Sequence, residues 1–158
     1  MPEITPNLWF DTESKDAAEF YVSVFPNSEI TNVSYYTDSG PLPAGTVMTV
    51  EFVLDGQRFT ALNGGPQFKF DEAVSFVIDC ADQNEVDYYW NKLTEGGGEE
   101  SQCGWLKDRF GLSWQVTPIE LYQLVTGSDP ARAERAMKAM LGMQKIDLAA
   151  IKAAADAA

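Results

Sequence analysis

The stretch "CGWLKDRFGLSWQV", Cys103 to Val116, places a thiol, an ammonium, a carboxylate, a guanidinium and two indoles within one hairpin-sized segment. Cys103 is the one nucleophile with positive charge close by. On a strand, Trp105 and Lys107 share its face, and the ammonium would favour a thiolate. Thiol catalysis ordinarily also uses a base, yet the chain contains no histidine. That removes the commonest general base, the commonest metal ligand and any Ser-His or Cys-His pair. Cys103 therefore reads either as a nucleophile acting without histidine or as a cysteine buried in, or lining, a pocket. Lys107-Asp108-Arg109 divides the same way, between contacts to an anionic ligand and a solvated turn with an Asp-Arg pair. Trp105, Phe110 and Trp114 offer planar apolar surface, while Asn7, Asn63, Ser75 and Gln115 supply sparse hydrogen-bonding groups. Such a mix suits a small, partly aromatic ligand, and it equally suits an ordinary hairpin core.

The elements that must position these residues belong to a chain of 158 residues, enough for one substantial core. Eleven basic against 24 acidic side chains give a net charge of −13, which repels phosphate backbones and anionic headgroups. Nucleic-acid and membrane partners are therefore not expected. The start, "MPEITPNLWF", shows no basic region followed by an apolar run, so a cytoplasmic protein is the default expectation. Cys80 and Cys103 match no metal or redox spacing and read as two free thiols.

"ITPNLWF" from Ile4 reads as a strand, and "SKDAAEFYVSVF" from Ser14 as a helix with Ala17, Phe20, Tyr21, Val24 and Phe25 on one face. Ser14 or Thr12 is the expected cap, and Pro26-Asn27 the stop. Three β-rich runs follow, with Asp55-Gly56 as a two-residue hairpin turn. The pattern then restarts. "AVSFVIDC" is a strand and "DQNEVDYYWNKL" a helix, entered through a capping box of Asp82 and Glu85 and ended by Gly96-Gly97-Gly98. A shift of 68 residues, from Thr5 to Ala73, superposes strand on strand and helix on helix, so each half reads β-α-β-β-β. After Pro118 comes a helix entered at Asp129-Pro130, with Ala133, Ala136, Met137, Met140 and Leu141 in a stripe. The final "DLAAIKAAADAA" is a helix former with little to bury, and is expected to fray.

"ITPNLWFD", "AAEFYVSVFPNSEI", "VEFVLDGQRFTALNGGPQFKF" and "WLKDRFGLSWQV" resemble the vicinal oxygen chelate superfamily. Within it they resemble the PhnB-like group labelled 3-demethylubiquinone-9 3-methyltransferase domain. The resemblance implies an α+β fold of two βαβββ units, the glyoxalase/bleomycin resistance/dihydroxybiphenyl dioxygenase-like arrangement, forming a curved mixed sheet with C-terminal helices. The implied division is a single domain over 1–127, with units at about 1–65 and 72–118, and a helical extension over 128–158. Ligands of such proteins bind in a sheet-lined cup, which makes Asn7, Trp9, Asn63, Ser75, Cys103, Trp105, Lys107 and Gln115 the expected ligand-binding set. The superfamily's metal positions fall on Thr5, Thr60, Ala73 and Gln115, where the customary His and Glu are missing; these side chains offer no set of strong donors for a divalent cation.

No metal and no other cofactor is therefore expected, and the partners expected are a small-molecule ligand and a second copy in a homodimer. The leading functional expectation is metal-free small-molecule binding. The alternatives are a lyase, isomerase or transferase of the same superfamily, with Cys103 as the candidate catalytic group, and an interaction module using the Met-rich helix. Methyl transfer lacks support: adenosylmethionine enzymes bind cofactor at a glycine-rich turn from strand into helix, and neither "NGGP" nor "EGGGEE" has that context.

Overall fold

A computed structural model describes residues 1–157. Its internal contacts divide the chain into two compact units, Met1–Phe70 and Asp71 onward. Each contains one four-stranded mixed sheet, and the βαβββ order expected from the repeat is present in both.

In the first unit, β1 (Asn7–Phe10), α1 (Ser14–Val24), β2 (Glu29–Tyr35), β3 (Val47–Leu54) and β4 (Gln57–Asn63) give the sheet order β1-β4-β3-β2. Strand β3, "VMTVEFVL", alternates cleanly: Val50, Phe52 and Leu54 are buried while Thr49, Glu51 and Val53 are half-exposed. Period two sends the first set to one face, where α1 lays Ala17, Ala18, Tyr21 and Val24 against it. The Tyr21 and Phe59 rings stack on Phe52 at 6.2 and 5.4 Å between centroids. Asp55 and Gly56 both adopt positive φ, 45° and 90°, as a tight primed turn between twisted strands requires.

Entry to α1 differs from expectation. Neither Thr12 nor Ser14 caps it through its side chain; the N-cap is Glu13, and Ser14 is the first helical residue. The Ser14 amide instead donates to Asn63 Oδ1 at 2.8 Å, from the end of β4. A buried helix start needs an acceptor from somewhere, and here the sheet supplies it.

The second unit repeats the pattern with β5 (Ser75–Cys80), α2 (Gln83–Thr94), β6 (Glu99–Glu100), β7 (Trp105–Lys107) and β8 (Ser113–Pro118), in the order β5-β8-β7-β6. Asp82 caps α2 as expected, accepting from Glu85 N–H at 3.0 Å, but the return bond of the box is displaced by one residue: Glu85 Oε2 accepts from Ala81 N–H at 3.2 Å. Helix α2 buries Val86, Trp90 and Leu93 against its sheet. The second strand of this half, β6, has only two residues and the third, β7, only three.

Three helices complete this unit: α3 (Ile119–Val125), α4 (Pro130–Leu141) and α5 (Leu148–Asp156). Asp129 caps α4 as expected, accepting from Ala131 and Arg132 amides. The expectation of fraying at α5 is corrected. Ile151 and Ala155 are fully buried, Asp147 caps the helix, and the Arg135 guanidinium donates to the Ala155 carbonyl at 2.7 and 3.0 Å. With Leu148, these two side chains lie three and four residues apart on one helical face, which is thereby seated. Among the described residues, no helix is long and apolar enough to cross a membrane.

Candidate functional site

Each sheet has one face covered by its own helix and one face that is not. The registers show which residues share the second face. In the first unit Asn7 pairs with Thr60 and Thr60 with Glu51, giving one row; Trp9, Leu62 and Thr49 give the next. In the second unit Ser75, Ser113, Lys107 and Glu99 form one row and Val77, Gln115 and Trp105 the next. Strand alternation puts Leu106, Trp114 and Val116 on the opposite, helix-covered face.

Four of the expected ligand residues thus converge on one face of one sheet: Ser75, Trp105, Lys107 and Gln115. The Gln115 amide donates to Ser75 Oγ at 2.9 Å. Lys107 is ion-paired with Glu72. The hydrogen bond between them holds the Lys107 ammonium above the ordinary lysine range and the Glu72 carboxyl below the usual carboxylate range. Val77 contributes apolar surface and is 54% exposed.

The tryptophans separate sharply. Trp9 donates its indole N–H to the Gly65 carbonyl at 2.9 Å, Trp90 to Glu100 at 2.7 Å and Trp114 to Asp108 at 2.9 Å. Among the described residues, the half-buried Trp105 is the one tryptophan whose indole N–H has no protein acceptor. An amphipathic ring with an unused donor is well suited to meeting a ligand.

Asn7, Trp9 and Thr60 lie on the uncovered face of the first unit, but Trp9 is largely committed to its own chain. Its ring rests on Gly64, where any Cβ would lie 2.4 Å from the indole, and it meets Phe68 edge-on at 4.9 Å. The "NGGP" run therefore exists to seat Trp9. Asn63 lies on the opposite face, buried. Its oxygen accepts from Ser14 and its amide donates to the Val47 carbonyl at 3.1 Å, while its own carbonyl accepts from the Tyr36 hydroxyl. A shallow cleft of about 390 Å³ beside the start of α1, lined by Lys15, Leu42, Pro43 and Val47, includes Asn63 and no other residue of the expected set.

Cys103 is not on a strand, so the face it was expected to share with Trp105 and Lys107 does not exist. It occupies a turn with φ of 58°, half-exposed, followed by Gly104 at φ 84°. The other thiol, Cys80, is buried at the end of β5, and burial pushes its pKa up to about 12. Of the two readings of Lys107-Asp108-Arg109, the solvated turn fails at its middle residue. Asp108 is only 3% exposed; its Oδ1 accepts from the Phe110 and Leu112 amides and its Oδ2 from the Trp114 indole. Gly111, at φ 88°, closes the turn. The carboxylate is the keystone of the hairpin that presents Trp105 and Lys107.

The metal positions are refined by the registers. Gln115 pairs with Val77 as Leu62 pairs with Trp9, so its counterpart is Leu62, and that of Thr60 is Ser113. Thr5 and Ala73 precede their strands. Leu62 and Ala73 have no donor atom at all, so these residues do not fit a divalent cation. Among the described residues, no group of three or more His, Cys, Asp or Glu is placed to hold one. Gly64-Gly65 follows a strand without opening a helix, and Gly96-Gly97-Gly98 closes a helix, so neither is placed to cradle adenosylmethionine. Six residues of these rows were missed in the sequence: Thr49, Glu51 and Leu62 in the first unit, which the alternation of the strands would have revealed, and Val77, Glu99 and Ser113 in the second, where the buried Ser113 hydroxyl has no hydrogen-bond partner.

Residues 2–117 match the family model described as 3-demethylubiquinone-9 3-methyltransferase. The PhnB protein of Bacillus cereus is similar at 33% identity, over 74% of this chain and 99% of its own, with a TM-score of 0.67. Protein PA1353 of Pseudomonas aeruginosa shares the fold at 22% identity, over 75% of this chain and 98% of its own, with a TM-score of 0.61. No curated protein matches the chain. With its duplicated βαβββ units and a match running through both, the chain belongs to the 3-demethylubiquinone-9 3-methyltransferase family, as a PhnB-like protein of the vicinal oxygen chelate fold.

Proposed function

We propose that this protein binds a small, partly aromatic molecule on the uncovered sheet face of its second unit, without a metal of the superfamily type. The observation that carries the reading is Trp105: an indole with an unused N–H donor, one row position from Gln115 and two from Val77. The ring offers a stacking platform, Val77 extends the apolar surface, and Ser75, Gln115 and Lys107 supply sparse polar contacts, the usual composition of a small-molecule site. Methyl transfer is not included, because neither glycine run has the strand-to-helix context that would bind the methyl donor.

Titration of the full chain with indole, benzoate and catechol, followed by ¹⁵N-edited NMR, tests this. Saturable shifts centred on the Trp105 indole and the Gln115 side-chain amide are expected. Trp105→Ala should weaken binding roughly tenfold, the equivalent of about 1.4 kcal/mol. No saturable shift with any of the three probes, or shifts confined to Trp90 and Trp114, would refute it.

A further inference from the structure

The matched family region ends at residue 117, so α3, α4 and α5 lie beyond it. Their connection to the second unit is specific. The segment joining α4 to α5 supplies backbone acceptors to the turn before β7: Cys103 N–H donates to the Met143 carbonyl at 2.8 Å, and Gly104 N–H to the Gln144 carbonyl at 2.9 Å. Ile146, fully buried, packs on Gly104 so closely that a Cβ there would lie 3.2 Å from its side chain and 2.9 Å from the Val116 carbonyl.

The same segment is held from the other side by Gln83, the first residue of α2. Its amide donates to the Ile146 carbonyl at 2.8 Å, and its oxygen accepts from Leu148 N–H at 2.8 Å. Lys145 adds an ion pair to Asp87 at 2.8 Å, which holds the Asp87 carboxyl below its usual range. Cys103 holds a left-handed conformation that costs energy for a residue bearing a Cβ. Here the carbonyls of residues 143 and 144 fix it. Strand β7 has only three residues, so the turn that launches it sets the direction of Trp105.

We propose that residues 143–148, pinned by Gln83, are a brace that positions β7, so that the C-terminal helices are part of the architecture of the ligand face. Gln83 and Ile146 are positioning residues, acting on Trp105 through the Cys103–Gly104 turn. The functional meaning of the brace rests on the binding reading above, but its existence is measurable without any ligand.

Gln83→Ala and the milder Ile146→Val are made in the full chain, with Lys152→Ala as a control that breaks only the Lys152–Glu120 pair elsewhere in these helices. Cys103 modification by Ellman's reagent reports on the turn, since Cys80 is buried and its thiol poorly ionised. The two hydrogen bonds that Gln83→Ala removes from the segment, at about 1 kcal/mol each, correspond to an opening about thirtyfold more frequent. Gln83→Ala should therefore speed modification by about that factor and shift the Trp105 indole resonance, leaving those of Trp90 and Trp114 in place. Ile146→Val should do the same to a smaller degree, and Lys152→Ala should do neither. Unchanged Cys103 rates and Trp105 resonances in folded Gln83→Ala and Ile146→Val would overturn the brace. Absence of indole binding by the wild-type chain would instead remove the binding reading, leaving the brace to be decided by thiol and resonance.

Discussion

The two units answer the same structural problem with different residues. The helix of the first begins against Asn63, a side chain brought from the end of the last strand; that of the second begins on Asp82, in its own entry turn. At the position equivalent to Asn63 the second unit has Val116, fully buried and purely apolar. Duplication has kept the order of strands and moved the polar chemistry. In the first unit the buried polar residue ties helix to sheet. In the second it is Asp108, which ties a hairpin to itself and frees the uncovered face for Trp105, Lys107 and Gln115.

The sharpest way to test that contrast is to remove the buried acceptors. Asp108→Ala leaves two amides and an indole N–H without an acceptor in a buried turn, and should destabilise by about 4 kcal/mol in urea unfolding. A loss below about 1 kcal/mol would mean that the hairpin holds without its keystone. The next comparison is between the helix caps. Asn63→Ala should lower stability by about 2 kcal/mol, since it orphans both the Ser14 amide and the Val47 carbonyl, whereas Asp82→Ala, a cap in an exposed entry turn, should lower it by about 1 kcal/mol. Equal losses would erase the distinction between sheet-supplied and local capping.

The smallest effect concerns the Lys107–Glu72 ion pair beside Trp105 and Gln115 on the uncovered face. Because the Glu72 carboxyl is depressed in the folded chain, its contribution is complete above the ordinary carboxylate range and is lost as pH falls through the lowered value. Lys107 is raised, so its contribution holds below the ordinary lysine range and is lost only as pH climbs through the higher value. The pair should thus be intact across neutral pH. An NMR titration of the Glu72 carboxyl should show its midpoint return upward in Lys107→Met; an unmoved midpoint would show that Lys107 is not the partner responsible.

Much of this was legible in the sequence because it rests on local periodicity. The buried faces of α1 and α2, the Asp55-Gly56 turn, the Asp82 cap, the Asp129 cap and the repeat all follow from spacing alone, whereas the stripe expected on α4 does not hold, since Met137 and Leu141 are exposed and only Ala136 is buried. Four of the expected ligand residues reached one face because strand alternation is equally local. What was not legible depends on partners distant in sequence. Asn63 carries no mark that it will serve a helix starting at Ser14, and the seating of α5 depends on Arg135 and on a core its own composition does not announce. Cys103 was misplaced because it was assigned to a strand, whereas it sits in a left-handed turn whose amides are satisfied by acceptors forty residues on.

In both units the first strand pairs in parallel with the last, β1 with β4 and β5 with β8. Neither sheet can close through its local hairpins alone, so closure is governed by chain separation. During synthesis the first unit has every strand it needs once Asn63 has emerged. The second must wait for Pro118 to complete its sheet, and for Met143 and Gln144 to supply acceptors to its turn. The segment proposed to brace β7 therefore emerges after every strand of both sheets, and the face on which Trp105 stands is complete only once residue 144 has been made.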